Sequence, residues 1–395
     1  AVSGIVQGTL GGVLQTGTLN VNSLVGNTAL SLWSASQAAN AIDDSINQYN
    51  GSITASYILF DGFNRRFTHA IARHGKKETE AGQHEAQRLI LSAVAQSYYG
   101  VQLASENVKI ANADHAFNKR LLKDALARQK QGAGSLSDVL NFEVRQRGAE
   151  AVLIIAEQNY DSARIALATL MGIPEGQLPD TVVVAPLQDE TPEAMADQVD
   201  DEWIARALEQ RPDVSLRKHG LERAQASVGQ RKSVYYPSVN AFASQDYQRS
   251  NDSTLTDKDA ATTVGVNVGY TLFAGGRNRA AVHEAKHYRT ESEWMLEDAE
   301  LTAQADVRNA LLQLSASQKQ LLLQRTTADY VEQNRTLVEK EYNAGQTDLT
   351  RLNQAQRDLV EAQSRLASAR VALQAAWHDL RTASADTLRL VEEQD

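Results

Sequence analysis

A chain of 395 residues has room for two or three globular domains, yet its composition points to longer elements. The net charge of -10 supplies no basic surface and argues against nucleic acid as a partner, while the absence of cysteine rules out disulfides and thiolate metal sites. No run of 18 apolar residues occurs, so no helix crosses a membrane and a spanning structure would have to be a closed β-barrel.

All six prolines (Pro174, Pro179, Pro186, Pro192, Pro212 and Pro237) lie between 174 and 237, which leaves both flanks free of the strongest helix breaker. Residues 1–26 are glycine- and β-rich. Strands follow at about 27–36 and 50–60; in the second, Ile53, Ala55, Tyr57 and Leu59 alternate with Ser52, Thr54, Ser56 and Ile58. From about 66 to 130 the period becomes helical. Ile90, Val94, Ser97, Val101, Ala104, Val108, Ala111, His115, Asn118, Leu122 and Ala125 fall on a 4-3 spacing, a coiled-coil seam rich in small residues. Such a helix is roughly 100 Å long. Gly132 and Gly134 mark a turn, and a helix of about 136–171 returns.

Residues 172–200, with four of the six prolines, read as a strand-and-loop patch and linker. A helix at about 201–233 then leads into strands at about 238–247 and 263–273, where Val264, Val266, Val268, Tyr270 and Leu272 alternate with Gly265, Asn267, Gly269 and Thr271. The second long helix, about 279–343, carries the seam Ala303, Val307, Ala310, Leu314, Ser317, Leu321, Gln324, Ala328 and Val331. Gly345 marks its turn, and a last helix covers about 348–382.

Sliding the chain by 213 residues places Tyr57, Leu59, Phe60, Gly62 and Gly132 on Tyr270, Leu272, Phe273, Gly275 and Gly345. A one-residue gap then aligns the LNFEVR run from Leu140 with the LNQAQR run from Leu352. The chain is therefore read as two tandem copies, 1–190 and 201–395. The fold class expected is mixed α and β, mostly α. Only the second copy has a helix of some 30 residues leading into its strands, so either the chain is clipped at its N-terminus, the favoured expectation, or the first copy has lost that half-helix.

The doubled order of strand, LFDG or LFAGG phrase, long helix, glycine turn and LN..R resembles the outer-membrane efflux and secretion channels of the TolC type. The RPDV at Arg211–Val214 and the YYP at Tyr235–Pro237 also look like this family. Two departures are Phe63, which stands where the second copy has Gly276, and the missing opening helix. The resemblance implies a homotrimer in the outer membrane, with four strands per chain closing a twelve-stranded barrel and the hairpins forming a periplasmic tunnel. It implies contact with outer-membrane lipid, a periplasmic adaptor (membrane fusion) protein and an inner-membrane pump of the RND or ABC type, with no cofactor. It makes the hairpin tips, Gly132, Gly134, Asp138, Asn141, Gly345, Asp348, Thr350 and Asn353, the entrance. Asp138 falls on the family's acidic position, and either a cation-attracting ring or an exposed helix cap would account for it and for Asp348.

Other candidate groups have plain physical readings. Gly62, Gly275 and Gly276 suit a sharp strand-to-helix turn that excludes Cβ atoms. Trp33, Tyr57, Phe60, Tyr270 and Phe273 suit a membrane-interface belt. His283, Glu284 and His287 satisfy the H-E-x-x-H zinc-protease pattern, but with no third ligand in view a solvated helix face is the better account. The corresponding place in the first copy keeps only His74. Against the passive duct stand a soluble coiled-coil scaffold or adaptor, which has no use for four amphipathic strands, and the metalloprotease.

Overall fold

The structure, a computed structural model, describes residues 19–23, 26–30, 48–250 and 256–387 apart from positions 133, 180, 181, 183 and 188. Trp33, most of residues 1–26 and the first expected strand beyond Leu30 lie outside these residues. The elements are β1 (Leu19–Ser23), β2 (Gly26–Leu30), β3 (Gln48–Asp61), α1 (Asn64–Lys130), α2 (Leu136–Leu170), α3 (Asp200–Gln210), α4 (Pro212–Lys232), β4 (Ser238–Ser250), β5 (Ala260–Gly269), α5 (Arg277–Asn343) and α6 (Leu349–Ala383). Two compact units emerge, one of residues 1–77 and 219–294, the other of 78–218 and 295–395. Each draws on both sequence copies.

In the first unit β1 and β2 form an antiparallel hairpin, and a second antiparallel sheet has the order β3-β4-β5. The central β4 pairs from Ser238↔Asp61 to Ser250↔Gln48 on one side and from Ser238↔Gly269 to Tyr247↔Ala260 on the other, with a bulge in β3 between Ile58 and Phe60. A strand was expected through Phe273, but β5 ends at Gly269. Pro237, which has no N–H, immediately precedes β4, so Gly269 is the last residue with a partner and Tyr270–Phe273 run free of the ladder.

The single helix expected at 201–233 is also broken. Arg211 adopts an extended backbone (φ -65°, ψ 126°) because the ring of Pro212 disfavours the helical region for the residue before it, and Pro212 then opens α4. Between 172 and 200 the described residues hold no strand, only 3-10 turns at Pro174–Gly176 and Glu193–Met195. Side chains from the helices take up this segment's backbone groups. Gln102 donates to the Ala185 carbonyl (2.9 Å), the Ala185 N–H donates to the Tyr98 hydroxyl (3.1 Å), and Gln318 and Trp377 donate to Ala194 (3.0 and 2.9 Å).

The second unit is a set of helices around three apolar clusters. Trp203 and Ala207 pack with Val307, Leu314, Leu321, Leu373 and Leu380; Phe117 and Leu121 pack with Val139, Phe142, Val338 and Leu352; Val101 packs with Leu167, Ala168 and Leu178. On α5 the expected seam is buried at Ala303, Val307, Ala310, Leu314, Ser317, Leu321 and Ala328. On α1 it holds at Val101, Ala111, Asn118 and Ala125 but fails at Ile90, which is exposed, because the inward place in that region is taken by Arg88.

Arg88 has a specific partner. The last carbonyls of a helix lack intrahelical donors, and at the end of α6 two buried arginines supply them. Arg88 donates to the Thr382 carbonyl (3.0 Å) and is held by Glu85 (2.6 Å); Arg211 reaches the Ala383 carbonyl (3.4 Å) and is held by Asp213 (2.7 Å) and Asp306 (2.9 Å). In RPDV the arginine thus caps a distant helix, the proline restarts α4, the aspartate neutralises the arginine, and Val214 enters the core. Burial alone would raise the Asp213 carboxyl, but the hydrogen bond and charge of Arg211 outweigh it and hold it below the usual range.

Arg211→Ala is expected to cost about 2–3 kcal/mol, less than a fully buried pair because both carboxylates remain partly hydrated. Since the Asp213 pKa is depressed on folding, the pair's contribution is present above the unfolded carboxyl's value and fades as pH falls through the folded one. Thermal unfolding of wild type and variant, compared at neutral pH and near pH 3, checks both statements: the gap should narrow in acid.

Candidate functional site

Each copy converts a strand into a helix of 67 residues within a few positions. Both conversions use two consecutive residues in the left-handed region, Gly62 (φ 67°) with Phe63 (φ 68°), and Gly275 (φ 58°) with Gly276 (φ 82°). A left-handed non-glycine residue costs roughly 1–2 kcal/mol. Phe63 is compensated by edge-to-face contacts with Phe60 (5.3 Å between centroids) and with Tyr236 of the YYP phrase (5.8 Å). Gly62 is required for a second reason: a Cβ there would lie 2.4 Å from the Ser233 carbonyl oxygen and 2.9 Å from the Tyr236 Cβ. Asp61 completes this junction by accepting the Arg65 N–H at 2.9 Å.

The sheet beside these junctions has its faces reversed relative to an ordinary soluble sheet. Ladder pairing puts Ile53, Ala55, Tyr57, Ala241, Ala243, Val264, Val266 and Val268 on one face. That face is open, with Val264 77%, Val266 62% and Val268 63% exposed. The opposite face carries Ser52, Thr54, Ser56, Asn240, Ser244, Asp246, Thr263 and Asn267, with the Phe242 ring lying over Gly265. Of the expected belt, Tyr57 is half-exposed on the apolar face and Phe60 is engaged with Phe63, whereas Tyr270 and Phe273 are exposed beyond the end of β5. The structure therefore does not place the two copies of the belt alike.

The hairpin tips are built by caps. Gly132 (φ 74°) and Gly345 (φ 73°) close α1 and α5, while an added Cβ at Gly134 would press to 3.0 Å from the Gln129 nitrogen. Ser135 caps α2 by accepting the Asp138 N–H (3.1 Å), and Asp348 caps α6 by accepting the Arg351 N–H (2.8 Å). Asp138, Asn141 and Thr350 are exposed, and Asn141 accepts from Arg145 (3.1 Å). Asn353 is buried beside Leu352. Behind the tips lies a polar chain that the sequence did not disclose: Asp114 accepts from Gln356 (2.8 Å), Gln356 from Arg335 (3.0 Å), and Glu339 binds both Arg335 (2.8 Å) and Arg120 (2.5 Å). Both arginines also lie over the Phe117 ring, at 4.3 and 5.3 Å. It ties α1, α5 and α6 together.

His283, Glu284 and His287 stand exposed on α5, and among the described residues no third ligand gathers with them.

Residues 24–173 and 203–386 match the family described as outer membrane efflux protein. The chain belongs to that family. Among individual outer membrane efflux proteins and their relatives, it is 26% identical over 302 residues to the alkaline protease secretion protein AprF of Pseudomonas aeruginosa, covering 74% of this chain and 60% of AprF. It is 26% identical over 337 residues to the pyoverdine export outer membrane protein OpmQ of the same species, covering 85% of this chain and 69% of OpmQ. To the cation efflux system protein CusC of Escherichia coli it is 27% identical over 318 residues, covering 75% of this chain and 66% of CusC. Among solved structures, the outer membrane protein VceC of Vibrio cholerae superposes with a TM-score of 0.73 at 19% identity, covering 91% of this chain and 85% of VceC. The open-state outer membrane channel MtrE of Neisseria gonorrhoeae gives 0.74 at 21% identity, covering 92% and 80%. The fold is thus that of TolC-like channels, mostly helical with a few strands.

At the family's strand-to-helix turn the two glycines separate strain from clash. Gly62→Ala should cost about 2–4 kcal/mol, combining a left-handed Cβ with overlap against backbone, whereas Gly276→Ala, which meets open space, should cost about 1 kcal/mol. Thermal midpoints of the two variants in one detergent check the order.

Proposed function

We propose that this chain is the outer-membrane exit duct of a tripartite efflux pump or a type I secretion system, a passive channel for drugs, small molecules or polypeptides. The observation that carries the reading is the sheet β3-β4-β5, whose open face is apolar and whose other face is polar, and whose outer strands β3 and β5 have no ladder partner besides β4 among the described residues. In lipid, unpaired backbone edges are not tolerated, so such a sheet closes with other chains. A homotrimer with four strands per chain, the fourth from the segment around β2, makes a twelve-stranded barrel with its polar face on the lumen. Apolar residues left open on the helices, including Val144, Ile154 and Ile155 of α2 and Leu312, Leu323 and Tyr330 of α5, support the same assembly.

In this reading each sequence copy supplies one strand pair and one helical hairpin, and Tyr57, Tyr270 and Phe273 sit at the membrane interface. The tips around Gly132, Gly134, Gly345, Asp138 and Asp348 form the periplasmic entrance and meet the adaptor, which connects the duct to an RND or ABC pump. Opening is a shift of hairpins against one another, resisted by the Arg120–Glu339–Arg335–Gln356–Asp114 chain. No step makes or breaks a covalent bond.

The purified chain should require detergent, run as a trimer and conduct in planar bilayers; a soluble monomer without conductance would sink the proposal. Neighbouring residues on β5 sharpen the test. Val266→Arg, on the lipid face, should impair barrel assembly, with a penalty of about 2–4 kcal/mol at mid-membrane. Asn267→Arg, on the lumen face, should assemble and shift conductance toward anions. If both behave alike, the face assignment is wrong.

Breaking the chain behind the tips tests gating. Arg335→Ala should raise single-channel conductance or open probability with the trimer intact, and an unchanged current would remove this chain from the gate. Co-purification with tagged RND and ABC pumps distinguishes the two partners.

A further inference from the structure

The sequence directs attention to His283 and His287 as a metal pair, but the structure gathers a different set. His74 lies on α1, ten residues past Asn64, and His219 and Glu222 share one face of α4 at a spacing of three. One carboxylate oxygen of Glu222 is 2.8 Å from His74 Nδ1 and 2.8 Å from His219 Nδ1, and the three potential ligand atoms lie within 4.8 Å of one another. The two rings are tilted by 34° with centroids 6.4 Å apart. His219 makes a hydrogen bond to Glu222, and His74 Nδ1 is buried and equally close to the same oxygen.

We infer that His74, His219 and Glu222 bind a first-row divalent transition-metal ion such as Zn2+, Cu2+ or Ni2+. Imidazole and carboxylate together suit these ions rather than Mg2+ or Ca2+, which take oxygen ligands. In a four-coordinate site, ligand bonds of about 2.0–2.2 Å set donor atoms roughly 3.3–3.6 Å apart, so the present 2.8 Å contacts open by somewhat more than half an ångström on binding. All three side chains retain some solvent exposure, between 20% and 38%, leaving a fourth position for water. The ion is a resident one. It joins α1, which begins after β3, to α4, which leads into β4, and so fastens the two sequence copies within one unit. Nothing in this assignment depends on what the duct carries.

The test uses the full chain, purified in detergent and stripped with a chelator, titrated separately with Zn2+, Cu2+ and Ni2+ by calorimetry. At least one metal should bind at one ion per chain. His219→Ala and Glu222→Gln should each weaken that binding tenfold or more, while the double variant His283→Ala/His287→Ala should leave it unchanged. The metal should also raise the unfolding temperature of wild type and of the double variant but not of His219→Ala. X-ray absorption on the loaded protein should find two imidazole nitrogens and an oxygen in the first coordination sphere. Glu222→Gln keeps size and shape, so its loss of binding with an unchanged circular dichroism spectrum separates ligation from misfolding. Absence of one-to-one binding for all three metals, binding indifferent to His219→Ala and Glu222→Gln, or binding lost on removal of His283 and His287 would overturn the assignment.

Discussion

Backbone hydrogen bonding in a medium without water is the constraint on which the rest of this chain depends. A three-stranded sheet with valines on its open face satisfies the N–H and C=O groups of β4 and, among the described residues, gives β3 and β5 a ladder partner on one side only. In water that arrangement invites aggregation, and in lipid each unpaired group costs several kcal/mol. Closure with other chains resolves both problems. The same logic recurs at smaller scale in the helical unit, where the proline-rich segment gives its backbone to Gln102, Tyr98, Gln318 and Trp377, and the end of α6 gives its last carbonyls to Arg88 and Arg211.

Two copies are useful because the sheet is assembled across them. β3 comes from the first copy and β4 and β5 from the second, and the junction after β3 is packed by Tyr236 and Ser233 from the approach to β4. The first junction therefore could not relax independently of the second copy, and the two have diverged accordingly. Gly275 and Gly276 turn in open space by backbone freedom alone, whereas the Gly62–Phe63 turn combines one enforced glycine with one aromatic residue whose strain is offset by its neighbours.

Much of the architecture was legible in the sequence because it rests on periodicity. The α5 seam is buried where the 4-3 spacing places it from Ala303 to Leu321 and again at Ala328, with Gln324 only half-buried, and the period-2 run from Ile53 to Leu59 lies in β3. What escaped was set by single residues acting over long separations. Pro212 broke a helix that the pattern carried straight through; its effect on Arg211 is local and could have been read. Arg88 displaced Ile90 from the seam, and no local signal announces that, since its partner is the carbonyl of Thr382, 294 residues away. The early end of β5 depended on where its partner strand begins. The Asp114–Gln356–Arg335–Glu339–Arg120 chain was invisible for the same reason, as was the meeting of His74 with His219 and Glu222.

Different kinds of contact hold different parts of the helical unit, and that division bears on where it can move. Around the end of α6 the buried arginines are bonded to helix-terminal carbonyls and to carboxylates at once, so a shift there would strand a nearly inaccessible guanidinium. Near the tips the ties are side chain to side chain, through partly exposed Arg120, Glu339 and Arg335. These can be released one at a time into water at a cost of about 1 kcal/mol each. The Phe117, Val338 and Leu352 cluster beneath them is non-directional, and sliding of small amounts leaves its area buried. The described contacts thus hold the end of α6 through buried charged groups and the tips through more exposed ones.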